Sequence, residues 1–389
     1  MKIAKLDTFT VDGGWDSWGF LKLTSDAGLA GWSEFATTRG RKGLRELVTG
    51  LGEGLIGQDP RNLAAIELRL GGLTRSVTGG LAAHAAGAVI NACLDLKAKA
   101  LGIPVYELLG GRLRERVPVY WSRCGVSRAL NAKLFDGAVI DRPAVRKLAD
   151  LAGAGREARE RGFQALKTNL LVFDEQGGRR PRGEGGGALH PDVSLLAALT
   201  AQLDALRDGA GPAMRLIVDL NFDYKTEGFR QIAKAVEPFD LLWLEMDSYD
   251  PEALAFVRRS TSTPIGSLEA VLGRRALKPF LAAQAVDVAI VDVMYNGMLE
   301  SLRMASLAEA HEVNVAGHGF AGPLATVISG HFASVIPNLR ILECDVDEVP
   351  WRPQLLSRPY RLEGGALILP EGPGWGTEPD EAALAAHAA

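Results

Sequence analysis

The chain has 389 residues, 47% of them hydrophobic and 23% charged, and a formal net charge of −4. That length suits two or three ordinary domains, or a barrel with an attachment, and the composition excludes disorder over most of it. The mildly acidic balance argues against nucleic acid or an anionic membrane as partner, because either usually leaves a basic footprint.

In chain order, the first 35 residues read as strands. Lys2 to Val11 and Phe20 to Ser25 alternate apolar and polar residues, and Gly31-Trp32-Ser33-Glu34 follows an Asp26-Ala27-Gly28 turn. The opening stretch lacks the apolar heart of a signal peptide. Residues 40–102 then read as helices, so residues 1–115 form an α+β unit of strands followed by helices. The cysteines, Cys93, Cys124 and Cys344, are far apart and form no CxxC pair, which favours a reduced, cytoplasmic setting. No apolar run reaches the about 18 residues of a membrane span.

From Val117 onward short β-branched runs alternate with helical stretches. Eight runs are expected: 117–124, 165–171, 216–221, 241–246, 264–269, 286–293, 313–318 and 340–345. Eight such units predict a (β/α)8-type barrel over residues 116–349. A doubly wound sheet would carry a glycine-rich phosphate loop after its first strand, and none follows Val117. Phe173 to Asp192, rich in Gly, Pro and Arg, is expected to be a long flexible loop, either a solvated insertion or a lid or oligomer contact. The Ala-rich tail from Glu381 to Ala389 is expected to fray.

Catalytic groups of such barrels stand at the C-terminal ends of strands. Asp219, Glu245 and Glu269 end the third, fourth and fifth runs, 26 and 24 residues apart. Each alone reads as a helix N-cap. Three in register form a repelling cluster that a hard dication such as Mg²⁺ would relieve. Asp292 and His318 end the sixth and seventh runs, a spacing suited to a hydrogen-bonded dyad in which the acid raises the basicity of the imidazole. Glu343 lies on the eighth run. Lys167 and Asn169 share a face of the second strand, which in a barrel is the lumen. His84, His190, His311, His331 and His387 fall on helices, the insertion or the tail and carry no expected role.

This order of residues resembles the mandelate racemase branch of the enolase superfamily. So do Gly31 to Glu34, Leu55 to Pro60, Asp95 to Gly111 and Pro370 to Gly376. The resemblance spans nearly the whole chain. It implies a modified (β/α)7β barrel over 116–349, with an α+β capping domain of 1–115 plus about 350–389. It implies one Mg²⁺ per subunit on Asp219, Glu245 and Glu269, with Asn221 near the substrate. It implies Lys167 and Glu343 on opposite sides of the substrate carboxylate, and His318 with Asp292 as base. Trp15 and Trp18, in a Gly-rich capping turn, would contact or shield the substrate. Relatives that racemise carry a second lysine where this chain has Asn169, which takes up no proton. The expected reaction is therefore dehydration of an acid sugar, an aldonate or aldarate with R configuration at the α-carbon, by a homo-oligomer. An epimerase, a cycloisomerase and a carboxylate-binding homologue that has lost catalysis are the alternatives.

Overall fold

The computed structural model describes residues 1–37, 41–181, 183 and 188–389. The chain opens with an antiparallel sheet of β1 (Ile3–Asp12), β2 (Ser17–Ser25) and β3 (Ala30–Ala36). Helices α1 (Leu44–Glu53), α2 (Leu63–Thr74) and α3 (Gly80–Leu101) cover one side of it. Leu21, Leu23, Phe35, Leu44, Val48, Val89 and Leu96 make the core between them. Glycine is required at position 31. A Cβ there would stand 2.2 Å from the Ala92 carbonyl oxygen, so the missing side chain lets β3 press against α3.

The barrel is built from β4 (Val117–Trp121), β5 (Ala165–Asn169), a small hairpin of β6 (Val172–Asp174) and β7 (Gly177–Arg179), and then six further strands. These are β8 (Arg215–Asp219), β9 (Trp243–Glu245), β10 (Ile265–Ser267), β11 (Val288–Val291), β12 (Asn314–Gly317) and β13 (Leu339–Cys344). Apart from the hairpin, the strands run parallel in sequence order, and β13 closes on β4 through pairs such as Glu343↔Tyr120. The fold is thus a closed eight-stranded parallel barrel with an α+β cap, the modified TIM barrel expected.

Strand alternation decides which side chains face the lumen. Ala165, Ile217, Trp243, Ile290, Ala316 and Ile341 fill the barrel interior with Tyr120. Two residues further along their strands stand Lys167, Asp219, Glu245, Asp292, His318 and Glu343. One face of the pleat therefore supplies an apolar plug below and a polar floor above it. β10 departs from this rule. A Cβ on Gly266 would meet the Trp243 ring at 2.3 Å, so position 266 faces inward and 269 would face outward in a regular strand. Leu268 sits at φ +92, in the left-handed region, and ends the alternation just before Glu269. That backbone turn is what brings Glu269 to the floor.

The tail is not frayed. After β13 the chain forms a hairpin of β14 (Arg361–Glu363) and β15 (Ala366–Ile368), and β15 pairs antiparallel with β4. The last helix, Glu381–Ala386, then returns to the cap: the Asp12 N–H donates to the His387 carbonyl at 2.9 Å, and His387 stacks on Trp351 at 4.9 Å. Alanine hides such docking from a sequence reading, because a small side chain fits a packed surface as readily as it fits a mobile end. Three stretches behind the family resemblance meet here as structure. Buried Asp95 of α3 accepts from the backbone N–H groups of Trp32 (2.8 Å) and Trp375 (2.9 Å), and Lys99 lies 2.8 Å away.

Glu34 of β3 joins cap to barrel. Its carboxylate accepts from the backbone N–H groups of Gly322 (2.5 Å), Leu324 (3.0 Å) and Ala325 (3.0 Å), at the start of the helix Pro323–Val335. Burial pushes its pKa up to about 7, against those three donors and Arg352. Truncation by Glu34→Ala would leave buried helix N–H groups without an acceptor and is expected to cost about 3 kcal/mol. Urea unfolding would measure it; a midpoint unchanged from wild type would contradict the capping role.

Candidate active site

The polar floor and the cap enclose a cavity of about 380 Å³. Lys167 is buried at its base, with Nζ 2.9 Å from Glu245 Oε1, 2.8 Å from Glu343 Oε1 and 3.8 Å from Asp219 Oδ2. Burial opposes its charge, yet Glu245 and Glu343 hold its pKa well above the usual value. The two glutamates respond differently to the same ammonium. Glu343 also faces His318 and accepts from Ser122 Oγ at 2.6 Å, and despite burial its pKa falls to about 2. Glu245 faces Asp219, Glu343 and Glu269 instead, and burial with that repulsion raises it to about 8. Glu269 is raised as well, chiefly by burial.

His318 and Asp292 form the expected pair. Nδ1 of the histidine lies 2.5 Å from Asp292 Oδ2. The other Asp292 oxygen accepts from the backbone N–H groups of Met294 (2.6 Å) and Tyr295 (3.0 Å), so the acid is an N-cap and a histidine partner at once. Nε2 points toward the carboxylates, 3.3 Å from Glu269 Oε2 and 3.7 Å from Glu343 Oε2. Burial works against the imidazolium, but Glu269, Glu343 and Asp292 together push the pKa up to about 10.

Asn169 turns away from proton chemistry: its amide donates to the Asp219 carbonyl oxygen at 3.0 Å. Asn221, at φ +47, donates its backbone N–H (2.9 Å) and its side-chain amide (2.5 Å) to Asp219 Oδ1 and lines the cavity. The expected tryptophan contacts need correcting. Trp15 stacks on Phe135 at 6.2 Å, and Trp18 is buried with the Arg352 guanidinium 5.6 Å from its ring. Neither lines the cavity, whereas Asp16 between them does. Large rings on a short turn bury more apolar area against neighbouring loops than they would over a polar cavity.

Sequence reasoning missed several lining residues: Ser122 and Arg123 just after β4, Arg41 from the cap, Tyr295 and Phe320. Ser122 and Arg123 stand at a strand end but are neither acid, His nor Lys, and Arg41 has no strand or period to mark it. Buried Asp247 was also missed, although it follows Glu245 by two residues. Burial with Glu269, Asp219 and Glu245 raises its carboxyl well above the usual range. His84 stacks on Tyr295 at 4.2 Å, one layer behind the cavity. The expected flexible insertion begins as the β6–β7 hairpin and sends Arg180 to the cavity wall, 2.5 Å from Asp223. Its residues 182 and 184–187 lie outside the described residues.

The donor set suits a hard dication. Asp219, Glu245 and Glu269 offer only oxygens, and their mutual repulsion is the kind a bound dication removes. They do not surround one point: Glu245 leans on Lys167 and Glu269 on His318. Among the described residues no three His, Cys, Asp or Glu side chains form a ready metal cage.

A closed parallel barrel with acids on successive strand ends and a histidine–aspartate pair facing them defines a barrel enzyme of acid–base chemistry. The chain belongs to the enolase superfamily, in its mandelate racemase/muconate lactonizing enzyme-like branch. Residues 149–383 match the enolase C-terminal domain-like family, and residues 12–110 match the mandelate racemase/muconate lactonizing enzyme N-terminal domain. The chain is similar to the D-galactonate dehydratase of Ralstonia nicotianae, at 28% identity over 98% of this chain and 93% of that one. It is similar to the D-xylonate dehydratase of Haloferax volcanii, at 26% over 99% and 89%. Among solved structures it resembles a Burkholderia xenovorans protein provisionally named an L-alanine-DL-glutamate epimerase and bound to magnesium and fumarate. That match has 43% identity and a TM-score of 0.95, over 100% of this chain and 96% of the other. Among the described residues no helix is long and apolar enough to cross a membrane.

Proposed function

We propose that the protein dehydrates an acid sugar to a 2-keto-3-deoxy acid, with Mg²⁺ on Asp219, Glu245 and Glu269. The observation that carries this reading is the one-sidedness of the acid–base groups. His318, fixed by Asp292, faces the floor, while the position of a second lysine holds Asn169, bonded to the Asp219 carbonyl. Lys167 donates to one side of the substrate carboxylate; Glu343 meets the other side only as a protonated carboxyl, so it must take up a proton as the substrate carboxylate arrives beside it. When bound, the dication supplies positive charge to that carboxylate as the α-carbon loses its proton. Glu269, which does most to hold His318 protonated, would be neutralised by the dication, leaving Nε2 free to take the α-proton while Asp292 stabilises the imidazolium through Nδ1–H. The ene-diolate electrons then break the β-carbon–oxygen bond. Protonated His318 returns its proton to the departing hydroxyl, water leaves, and the enol tautomerises to the 2-keto acid. One base on one face acts on a single α-configuration, and the resemblance to relatives whose histidine serves that face makes it R.

The names of the galactonate and xylonate dehydratases support this reading, and the provisional name of the Burkholderia protein favours epimerisation instead. A panel of aldonates and aldarates, assayed with Mg²⁺ for 2-keto acid by semicarbazide and for epimers by NMR, separates the two. The expected result is 2-keto acid from a subset of R-configured acids. An epimer without 2-keto acid would establish the second reading.

A further inference from the structure

Two residues of the cap close on one residue of the barrel rim. Tyr295 follows Asp292 by three positions and lines the cavity. Its ring lies flat on that of His84 from α3, with centres 4.2 Å apart and planes 7° from parallel. Burial holds the His84 pKa down to about 4, against the pull of Asp292, so the stacked imidazole is neutral at pH 7. Arg41, from the segment between β3 and α1, donates to the Tyr295 hydroxyl, with its guanidinium 5.0 Å from the ring. The phenol is thus fixed in direction as well as in place, a barrel side chain held by the cap.

The direction of that hydrogen bond decides what the phenol can still do. Arginine only donates, so the Tyr295 oxygen is the acceptor and its own hydrogen is left to donate elsewhere. Among the described residues no acceptor meets that hydrogen. Burial, with Asp292 nearby, holds the phenol well above its usual pKa, so the hydrogen stays on the oxygen. The Arg41 charge polarises the O–H and strengthens it as a donor. The ring centre lies 5.6 Å from that of His318, so this donor stands on the same wall of the cavity as the base.

We infer that Tyr295 donates a hydrogen bond to the β-hydroxyl of the substrate, the group that leaves. The inference rests on the acid-sugar reading and adds to it a residue that selects for that hydroxyl. His318 addresses the α-carbon, and the β-carbon is one bond away. A donor on the base's own wall meets a hydroxyl that departs from the side on which the proton was taken. His318 supplies the proton that completes the water, and Tyr295 holds the oxygen that receives it. Its hydrogen bond strengthens as the carbon–oxygen bond breaks and negative charge gathers on the oxygen.

Binding tests this apart from turnover. D-Lactate and D-glycerate are three-carbon 2-hydroxy acids of the same α-configuration that differ only in a β-hydroxyl. Calorimetry of the Mg²⁺-loaded enzyme is expected to show D-glycerate bound about 5-fold more tightly, the worth of one neutral hydrogen bond. Tyr295→Phe keeps the ring on His84 and removes the donor. It should bring D-glycerate down to the level of D-lactate while changing D-lactate by less than about twofold, with the melting temperature showing that the variant folds. Equal binding of the two acids by wild type, or a preference that survives the substitution, would overturn the inference. So would a weakening of both acids alike, which marks a residue that only holds His318 in place. A preference lost in the variant, with no 2-keto acid from D-glycerate or from any aldonate or aldarate, would uphold the hydroxyl contact and sink the dehydratase reading alone.

Discussion

Replacing His318 with asparagine is expected to lower turnover by about 10²- to 10⁴-fold, the loss typical of a positioned general base. The same variant should stop incorporation of deuterium from D₂O at the α-carbon of a slow substrate analogue without a β-hydroxyl. Wild type should incorporate it with retained configuration, since the proton leaves and returns on one face. Folding should survive. Asp292 keeps its bonds to the Met294 and Tyr295 N–H groups, and asparagine fills part of the same space. Asp292→Asn offers a second view, because it preserves shape and removes the charge that stabilises the imidazolium. Exchange at the wild-type rate in His318→Asn would mean that another group is the base. Appearance of the opposite epimer at a comparable rate in wild type would mean that a second base exists, either Lys167 or a group not recognised as one.

Chelation by EDTA is expected to abolish turnover, and excess Mg²⁺ to restore it. With Asp219 and Glu245 buried and Glu269 half-buried beside them, the three acids have too few cations nearby. A dication removes that deficit, and all-carboxylate donors favour Mg²⁺ over softer ions. Glu245→Gln removes one negative ligand but retains an oxygen and can keep the bond from the Trp243 indole N–H, 3.0 Å in the wild type. It should weaken Mg²⁺ on the order of 100-fold by calorimetry, with little change in melting temperature. Full activity in excess EDTA would remove the metal from the mechanism.

The acids and the histidine were legible in the sequence because a βα unit has a nearly fixed length. Asp219, Glu245, Glu269, Asp292, His318 and Glu343 recur at intervals of 23 to 26 residues, and a barrel turns that interval into a ring. Lys167 was legible from the two-residue period of a strand. What escaped has no period. Arg41 lies in an irregular connection, and no pattern says that the connection bends over a barrel mouth. Arg123 and Leu268 depend on positive φ values, which leave no mark when the residue is not glycine. Trp15 and Trp18 misled because aromatic rings in a turn suggest both ligand contact and packing, and only the neighbours Phe135 and Arg352 decide.

The returning tail bears on how such enzymes can be recombined. A chimera that takes a relative's first 115 residues to acquire its specificity would leave two seams open. Asp95 would come from one parent and Trp375 from the other, and β1 would meet an unrelated final helix. A third seam runs through Glu34 and the helix at Pro323. The portable unit is therefore discontinuous, a head and a tail inherited together, and the graft that keeps its stability should carry the segment from Pro370 onward with the head while β15 stays with β4.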